Sequence, residues 1–271
     1  RRAVKAVILA RGLGKRMRQA DDHTTLDAKQ AAVADQGIKA MIPIGRPFLD
    51  YVLSALADAH CTDVCLVIGP EHTAVRDYYE RPGLLSRVRV SFAIQERPIG
   101  TANAILAAES FCGSDRFLVM NADNYYPEPA YAALRDLGEP GLVAFGRDAL
   151  VADGHIPPER ILKFALLDID KDGYLRRIVE KPDDATARAM SGVPYVSMNL
   201  WCFDARIFAP CRTVAPSSRG ELELPVAVQH AIDAYGQRFH AVPMHAAVLD
   251  LSSRADIAGV AEQLAGVDVR L

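Results

Sequence analysis

Short apolar segments alternate along this chain with stretches of helical spacing, and this alternation constrains the possible folds most strongly. The apolar segments are rich in branched and aromatic residues and end at polar or glycine-containing turns, which is typical of strands buried on both faces. Strands that alternate with helices form a largely parallel sheet, so the sequence predicts an α/β fold. The clearest strands are predicted at residues 3–10, 64–68, 88–94, 117–120 and 142–145.

Helices are predicted between these strands, because apolar residues recur there at helical intervals. A further helix is expected in the alanine-rich residues 27–36, and a last one at residues 254–264. Beyond residue 160 the pattern changes to longer strands, at 161–169 and 174–179, joined by a hairpin turn at 170–173. The sheet should therefore be mixed, with an antiparallel extension. The predicted helical core positions are Leu49, Val52, Leu53, Leu56, Ala104, Ile105, Ala108, Ala130, Leu134 and Leu137.

Composition limits the possible functions. The chain has 271 residues, of which 50% are hydrophobic, so we expect one domain over residues 1–271. A net charge of -3 argues against a nucleic-acid partner, which would require a basic surface. No apolar run approaches the roughly 20 residues of a membrane span, and the chain does not begin with a signal-peptide pattern, so a cytoplasmic protein without a membrane partner is expected. Homo-oligomerisation stays possible.

The five cysteines indicate the redox state of the chain. Their number is odd and none forms a Cys-x-x-Cys pair, which suits reduced thiols better than a disulfide framework. We expect them to be small core residues.

The first strand leads directly into a glycine-containing turn at residues 9–17, Leu-Ala-Arg-Gly-Leu-Gly-Lys-Arg-Met. Gly12 and Gly14 allow the backbone to approach phosphates, while Lys15 and Arg16 supply positive charge. Alone, the segment could equally be an ordinary tight turn. It matches neither the P-loop nor the dinucleotide fingerprint, whose third glycine is missing, which argues against an NAD-dependent oxidoreductase. The predicted nucleotide-binding residues here are Leu9, Ala10, Arg11, Gly12, Gly14 and Lys15.

Five later segments favour the nucleotide-binding interpretation of this turn. They are residues 39–49, 95–102, 121–124, 179–182 and 249–251. Together with the turn, they resemble, in the same order, the signatures of sugar-1-phosphate nucleotidylyltransferases such as glucose-1-phosphate thymidylyltransferase. Each lies at a strand end, where an α/β sheet binds its ligands. The resemblance implies a Rossmann-like three-layer sandwich of the nucleotide-diphospho-sugar transferase type, with a mostly parallel mixed central sheet.

The resemblance also implies the reaction and a division of the chain. Residues 1–145 would bind an NTP and residues 146–271 a sugar 1-phosphate, which attacks the α-phosphorus and releases pyrophosphate. The substrate brings its own nucleophile, so catalysis requires charge neutralisation and positioning. By resemblance, Asp123 and Asp250 hold a Mg²⁺ cofactor. The implied catalytic residues are Arg16 at the departing pyrophosphate, Lys39 at the α-phosphate, Asp123 and Lys181.

Substrate recognition is assigned in the same way. Lys181 would hold the sugar phosphate, and Glu180 and Asn199 would bind sugar hydroxyls. Base recognition would fall to Gln95 and to the backbone at Gly100 and Thr101. The Gln95 amide could match thymine, uracil or guanine, so dTTP or UTP with glucose 1-phosphate is favoured by resemblance only.

Each assigned residue also has a plain structural interpretation. Asp123 could be a turn carboxylate, and Asp250 could cap the last helix. Lys39 and Gln95 could be solvated residues beside strands. The remaining plain interpretations are an exposed salt bridge between Lys181 and Glu180, a β-bulge at Asn199, and ordinary helix-start acids at Glu221 and Glu223.

Two departures from the family limit what its members imply. Arg11 replaces a small residue and Lys15 a small hydroxyl residue, so this turn should be more cationic than its relatives. The interval between Arg16 and Lys39 is also long, and we interpret it as a mobile lid over the triphosphate. Two functional alternatives stay open: an acceptor other than a sugar, such as phosphocholine, and a non-catalytic nucleotide-sensing module.

Overall fold

The computed structural model describes residues 3–271 and arranges them around a nine-stranded sheet. Arg1 and Arg2, which fall within the predicted domain, lie outside the described residues. The strands are β1 Lys5–Leu9, β2 Pro43–Ile44, β3 Arg46–Pro47, β4 Asp63–Ile68, β5 Arg89–Ile94, β6 Phe117–Asn121, β7 Asn124–Tyr125, β8 Gly141–Gly146, β9 Ala165–Ile169, β10 Leu175–Val179, β11 Tyr195–Phe203, β12 His240–Met244 and β13 Leu249–Asp250.

The helices lie mostly between consecutive strands, as the alternating pattern predicts. They are α1 Lys15–Arg18, α2 Ala28–Gln36, α3 Phe48–Asp58, α4 Thr73–Tyr79, α5 Thr101–Ala107, α6 Glu109–Cys112, α7 Glu128–Asp136, α8 Arg147–Ala152, α9 Pro158–Ile161, α10 Asp184–Ala189, α11 Phe208–Thr213, α12 Leu224–Tyr235 and α13 Asp256–Leu264. Short 3-10 turns occupy Lys39–Met41 and Ala205–Ile207.

The central sheet has the strand order β10-β9-β11-β6-β1-β4-β5, with β8 beside β11 and β12 beside β8. Strands β6, β1, β4 and β5 are parallel, so their carboxyl ends meet at one edge of the sheet. Strand β11 runs antiparallel to β6, β8 and β9 and provides the predicted antiparallel extension. The predicted mixed α/β sheet is therefore confirmed.

Two hydrophobic clusters cover the two faces of the sheet. Side chains of β1 alternate between them: Ala6 and Ile8 join one cluster, and Val7 joins the other. Because both faces are covered, β1 is apolar from Ala6 to Leu9 and does not alternate with polar residues there. This arrangement is the three-layer sandwich that the resemblance implied.

The predicted strands and helical stripes agree closely with the structure. The five buried strands are found within one or two residues of their predicted bounds. The stripe on α3 is fully buried, with all four of its leucine and valine positions at 0% exposure. Helix α2 begins after Asp27, whose side chain accepts the Gln30 N–H in a capping box.

The predicted strand at 161–169 is wrong in its first half. Pro158 opens a short helix, α9, which ends at Ile161, and the Phe164 N–H then donates to the Ile161 carbonyl. Proline fits the first turn of a helix because its missing N–H has no partner there. The strand begins only at Ala165. At 174–179 the difference is small, since Tyr174 forms an isolated bridge to His240 just before β10.

The cysteine prediction is confirmed, because all five cysteines are buried free thiols. Burial raises the pKa of Cys61 to about 11 and that of Cys65 to about 12. Within residues 3–271, none of the helices is long and apolar enough to cross a membrane.

A buried carboxylate joins three elements on one side of the sheet. Asp50, on α3, is 0% exposed. It accepts hydrogen bonds of 2.8 Å from Arg46 Nε, from the Tyr78 hydroxyl and from the Tyr79 hydroxyl. Burial, followed by the hydrogen bond to Asp50, raises the pKa of Tyr78 to about 12. A fully buried charge is tolerated only when it is paired and hydrogen-bonded in this way.

We predict that Asp50→Ala lowers the free energy of unfolding by about 3–5 kcal/mol, because the substitution removes the acceptor for Arg46 Nε, the part-buried Tyr78 hydroxyl and the buried Tyr79 hydroxyl. Urea denaturation measures the loss. The matched control is Asp58→Ala, since the Asp58 side chain is 43% exposed and pairs with Arg87. Its effect should stay below about 1 kcal/mol. Equal losses in the two variants would show that the Asp50 cluster is not a stabilising centre.

Candidate active site

A cleft of about 470 Å³ opens at the edge where the parallel strands end. It is lined by residues that are far apart in the chain but were assigned to one site by the sequence. The predicted site residues among them are Leu9, Ala10, Arg11, Gly12, Gly14, Lys15, Arg16, Lys39, Gln95, Gly100, Thr101, Asp123, Glu180 and Asn199. The fold therefore brings segments from both predicted halves of the chain to one cavity.

The glycine turn forms one wall of the cleft. Gly14 adopts φ 60, and a Cβ atom there would lie 2.1 Å from the Gly37 carbonyl oxygen, so only glycine fits. Beyond it, Lys15 and Arg16 are exposed, and neither forms an ion pair with any residue of 3–271. Two uncompensated cations thus stand beside the open backbone of this turn, which suits an anionic ligand.

Two carboxylates lie on adjoining backbone segments at the cleft, where Asp123 is a lining residue and Asp250 is not. The backbones of Asp123 and Asp250 are held together because β7 and β13 pair and the Leu251 N–H donates to the Asp123 carbonyl at 2.8 Å. Asp250 is 9% exposed, and Asn124 Nδ2 donates to its Oδ1 at 3.1 Å. Burial and then the nearby charge of Asp123 raise the pKa of Asp250.

The helix-cap interpretation of Asp250 is not what the structure shows. The N–H groups of Ser252 and Ser253 donate to Asp256 Oδ2 at 3.0 and 2.7 Å, so Asp256 organises the chain before α13. Asp250 instead accepts a hydrogen bond from Ser252 Oγ at 2.8 Å. Its carboxylate remains next to Asp123.

Each carboxylate also has a cationic partner. The Lys39 ammonium contacts Asp123 Oδ2, and the two side chains are 21% and 19% exposed. Arg160 Nη1 lies 3.2 Å from Asp250 Oδ2 and 2.9 Å from Asp256 Oδ1. The sequence analysis missed Arg160, since its helix α9 falls where the pattern changes towards a strand and the residue stands 90 positions before Asp250.

The donor set fits a magnesium ion. Mg²⁺ is commonly held by one or two carboxylates, with water and substrate phosphates completing the shell. Asp123 and Asp250 supply two such oxygen donors on adjoining backbone segments. In the described part of the chain there is no group of three or more acidic, histidine or cysteine ligands, as an all-protein metal cage would require. The remaining ligands would come from solvent and substrate.

Gln95 also lines the cleft, and it is buried, with 4% exposure. The interpretation as a solvated strand-end residue is therefore wrong. Its Nε2 donates to the Gly100 carbonyl at 3.0 Å and to Asn103 Oδ1 at 2.9 Å. The side-chain oxygen of Gln95 has no hydrogen-bond partner within residues 3–271 and is not sealed from the cleft.

Glu180 and Asn199 face the cleft from the antiparallel extension. Glu180 Oε2 is buried and has no hydrogen-bond partner among the described residues. Burial, and then the negative charge of Glu223, raise the pKa of Glu180. Asn199 adopts φ 56 where β11 shifts register between Ser197 and Trp201. The bulge interpretation is thus correct, and the bulge directs Asn199 into the cleft.

Lys181 lies outside the cleft. It is exposed, adopts φ 46, and lines an adjoining groove of about 910 Å³. Its ammonium stands 3.8 Å from Glu180 Oε1, which matches the plain interpretation of an exposed salt bridge. The cleft and the groove share one wall, which includes Glu180, Arg219 and Glu223. Sequence reasoning did not assign Arg219 a role, although it directly precedes the Gly-Glu pair that leads into α12.

Comparisons with known proteins identify the family of the chain. A model of the nucleotidyl transferase family matches residues 5–251. A glucose-1-phosphate thymidylyltransferase of Streptomyces antibioticus is 32% identical over 85% of this chain and 58% of its own length. The low-salt glycan biosynthesis nucleotidyltransferase of Haloferax volcanii is 26% identical over 88% of this chain and 60% of its own length. The chain thus spans 58–60% of the length of these curated relatives.

Solved structures share the fold. UDP-glucose pyrophosphorylase complexed with UDP-glucose superposes with a TM-score of 0.75 at 17% identity, covering 97% of this chain and 98% of that chain. A UTP-bound UGPase from Acinetobacter baumannii gives a TM-score of 0.74 at 17% identity, covering 99% of this chain and 96% of that chain. The agreement over nearly the whole of both chains supports the fold assignment.

We predict that Lys39→Met raises the affinity for Mn²⁺ in the absence of nucleotide by about tenfold or more, because the Lys39 ammonium opposes a cation at Asp123. Electron paramagnetic resonance titration measures free Mn²⁺. Lys15→Met is the matched control, since Lys15 lines the same cleft without an ion pair. Unchanged affinity in the Lys39 variant would mean that the lysine and the metal do not share Asp123.

Glu180 gives a prediction about pH. The folded protein raises the pKa of the Glu180 carboxyl, so as the pH rises this carboxyl loses its proton in the unfolded chain before it does in the folded protein. Glu180 therefore lowers the free energy of unfolding above its ordinary pKa of 4.5. Below that pH it is protonated in both states and has no effect. Glu180→Gln should therefore raise the urea midpoint at pH 7 but not at pH 4. The exposed Glu262→Gln on α13 is the control. A lower midpoint at pH 7 in the Glu180 variant would contradict the assignment.

Proposed function

The chain belongs to the nucleotidyl transferase family, and from this we propose that it joins a nucleoside monophosphate, taken from an NTP, to a sugar 1-phosphate with release of pyrophosphate. The observation that carries the proposal is the single cleft in which the glycine turn, Lys39, Asp123 and Glu180 meet. The similarity to a glucose-1-phosphate thymidylyltransferase and to a uridylyltransferase for glucose 1-phosphate from Bacillus subtilis, 24% identical over 93% of this chain, favours dTTP or UTP as the NTP and glucose 1-phosphate as the acceptor.

The reaction needs no nucleophilic side chain. An oxygen of the sugar phosphate forms a bond to the α-phosphorus of the NTP, and the bond from that phosphorus to the pyrophosphate oxygen breaks. Two anionic substrates must approach each other, so the enzyme has to neutralise charge and align the reacting atoms. A cleft lined by several cations at the end of a parallel sheet supports this chemistry.

The NTP would lie along the glycine turn. Backbone N–H groups at Gly12 and Gly14 and the free cations of Lys15 and Arg16 would hold the β- and γ-phosphates. Lys39 would exchange its contact with Asp123 for the α-phosphate, which becomes more negative as the new bond forms. This exchange would also free Asp123 when the NTP arrives.

Asp123 and Asp250 would hold Mg²⁺, which when bound would supply positive charge between the α-phosphate and the attacking phosphate. Arg160 would fix the Asp250 carboxylate through its contact at 3.2 Å, and Asn124 would fix the other oxygen at 3.1 Å. Because Arg160 acts through Asp250, we regard it as a positioning residue.

The acceptor would occupy the side formed by the antiparallel extension. Glu180 lines the cleft, and a rotation of its carboxylate would bring the buried, unpaired oxygen to a sugar hydroxyl, which would supply the missing donor. Asn199 would add a second contact. Lys181 and Arg219 line the groove next to this wall, and their charges would attract the acceptor phosphate. The unpaired Glu180 oxygen supports a sugar over phosphocholine, which has no hydroxyl donor.

The test is a pyrophosphate-release screen of five NTPs against a panel of sugar 1-phosphates and phosphocholine in the presence of Mg²⁺. We predict release with dTTP or UTP and glucose 1-phosphate. Asp123→Asn should lower turnover by orders of magnitude, because a metal ligand loses its charge. Circular dichroism should show that the variant keeps its fold.

Two outcomes would overturn the proposal. Nucleotide binding without pyrophosphate release from any pair would indicate a sensing module. Turnover with phosphocholine and not with sugar phosphates would change the acceptor class. Near-normal turnover of Asp123→Asn with Mg²⁺ would remove only the metal assignment.

A further inference from the structure

We infer that Arg11 selects the nucleotide base, and that with Gln95 it favours bases with a keto group, such as uracil, thymine and guanine, over the amino bases cytosine and adenine. This inference rests on the proposed function, since it assumes that the cleft binds an NTP with its base near Gln95. It concerns a residue that the phosphate chemistry above does not use.

Arg11 is held away from the free cations of the glycine turn. It is 8% exposed, and its Nε donates to the backbone carbonyl of Gln95 at 3.1 Å. Its Nη1 lies 2.6 Å from Glu71 Oε1. The side chain passes over Gly69, where a Cβ atom would lie 2.4 Å from Arg11 Nε, so the glycine makes room for it.

The charge of Arg11 is compensated at this position. The pKa of Glu71 lies below its ordinary value: partial burial would raise it, but a backbone hydrogen bond and Arg11 outweigh that effect. An arginine paired in this way adds little net charge to the phosphate end of the cleft. Lys15 is then the extra free cation of the turn, and Arg11 becomes a fixed part of the wall near Gln95.

The guanidinium has one nitrogen left for a ligand. Its Nη1 is buried beside Glu71, whereas Nη2 makes no hydrogen bond to any residue of 3–271 and is not among the buried polar atoms. Arg11 lines the cleft, so Nη2 is the accessible donor there.

Gln95 provides a matching acceptor in a fixed orientation. Its Nε2 donates to the carbonyl of Gly100, an acceptor only, so the carboxamide cannot turn over without losing that bond. The Gln95 side-chain oxygen therefore faces the cleft as an acceptor. Arg11 Nε donates to the Gln95 backbone carbonyl and both residues line the cleft, so the donor and the acceptor belong to the same part of its wall.

A donor next to an acceptor distinguishes keto bases from amino bases. Uracil offers its O4 to the Arg11 donor and its N3–H to the Gln95 oxygen, and guanine offers O6 and N1–H in the same relation. Cytosine in that position would direct an amino group at Arg11 and a bare ring nitrogen at the Gln95 oxygen. Both contacts would then be mismatched, and buried polar groups without partners reject a ligand strongly.

The experiment compares UTP with CTP, which share ring size and sugar and differ in the groups at C4 and N3. Isothermal titration calorimetry with Mg²⁺ measures both affinities in the wild-type chain, in Arg11→Met and in Arg89→Met. Methionine keeps an unbranched stem without a donor. Arg89 is the matched control because it lies at the other end of β5, with a side chain that is 80% exposed.

We expect the wild-type chain to bind UTP about tenfold or more tightly than CTP. Arg11→Met should lower this ratio about tenfold, and Arg89→Met should leave it unchanged. An unchanged ratio in Arg11→Met, or an equal loss for both nucleotides, would overturn the inference. Should Arg11→Met fail to fold, a UTP analogue with sulfur in place of O4, which keeps the N3–H and offers a weaker acceptor, tests the wild-type chain instead. Equal affinity for UTP and this analogue would also overturn it.

This binding measurement is separate from the pyrophosphate-release screen. Base selection without turnover would contradict the proposed reaction and leave the role of Arg11 intact. Turnover together with a UTP-to-CTP affinity ratio that does not depend on Arg11 would support the proposed reaction and contradict the role of Arg11.

Discussion

The close approach of Asp123 and Asp250 determines the character of the site. Two carboxylates on adjoining backbone segments repel each other, and burial, followed by the nearby charge of Asp123, raises the pKa of Asp250. Lys39 pairs with the Asp123 carboxylate and Arg160 with the Asp250 carboxylate, and these cations compensate the two negative charges. The cations that line the cleft would serve the same need in the proposed reaction, since each phosphate of the substrates would bring more negative charge.

The parallel sheet makes this concentration of charge possible. Strands β1, β4, β5 and β6 end at one edge, so loops from distant parts of the chain converge there without long connections. The antiparallel extension then adds a second wall, with Glu180 and Asn199 facing the glycine turn across the cleft. A two-substrate reaction needs such opposed walls, because each substrate must be held while the other approaches.

Much of this could be predicted from the sequence. Buried strands and amphipathic helices follow local patterns, and the glycine turn, Lys39 and Asp123 belong to short ordered signatures. Contacts that depend on tertiary structure could not be predicted. Arg160 reaches Asp250 across 90 residues of sequence. The pairing of Arg11 with Glu71, which removes it from the phosphate end, is likewise invisible in a local pattern. Lys181 was placed in the cleft by its motif, whereas a left-handed backbone turns it to the adjoining groove.

The most direct measurement is a crystal structure of the chain with Mn²⁺ and a non-hydrolysable UTP or dTTP analogue, with the metal located by anomalous scattering. We predict a peak within bonding distance of the Asp123 and Asp250 carboxylates, the triphosphate along the glycine turn, and Lys39 moved to the α-phosphate. A metal bound elsewhere, or a nucleotide bound while Lys39 still pairs with Asp123, would contradict it.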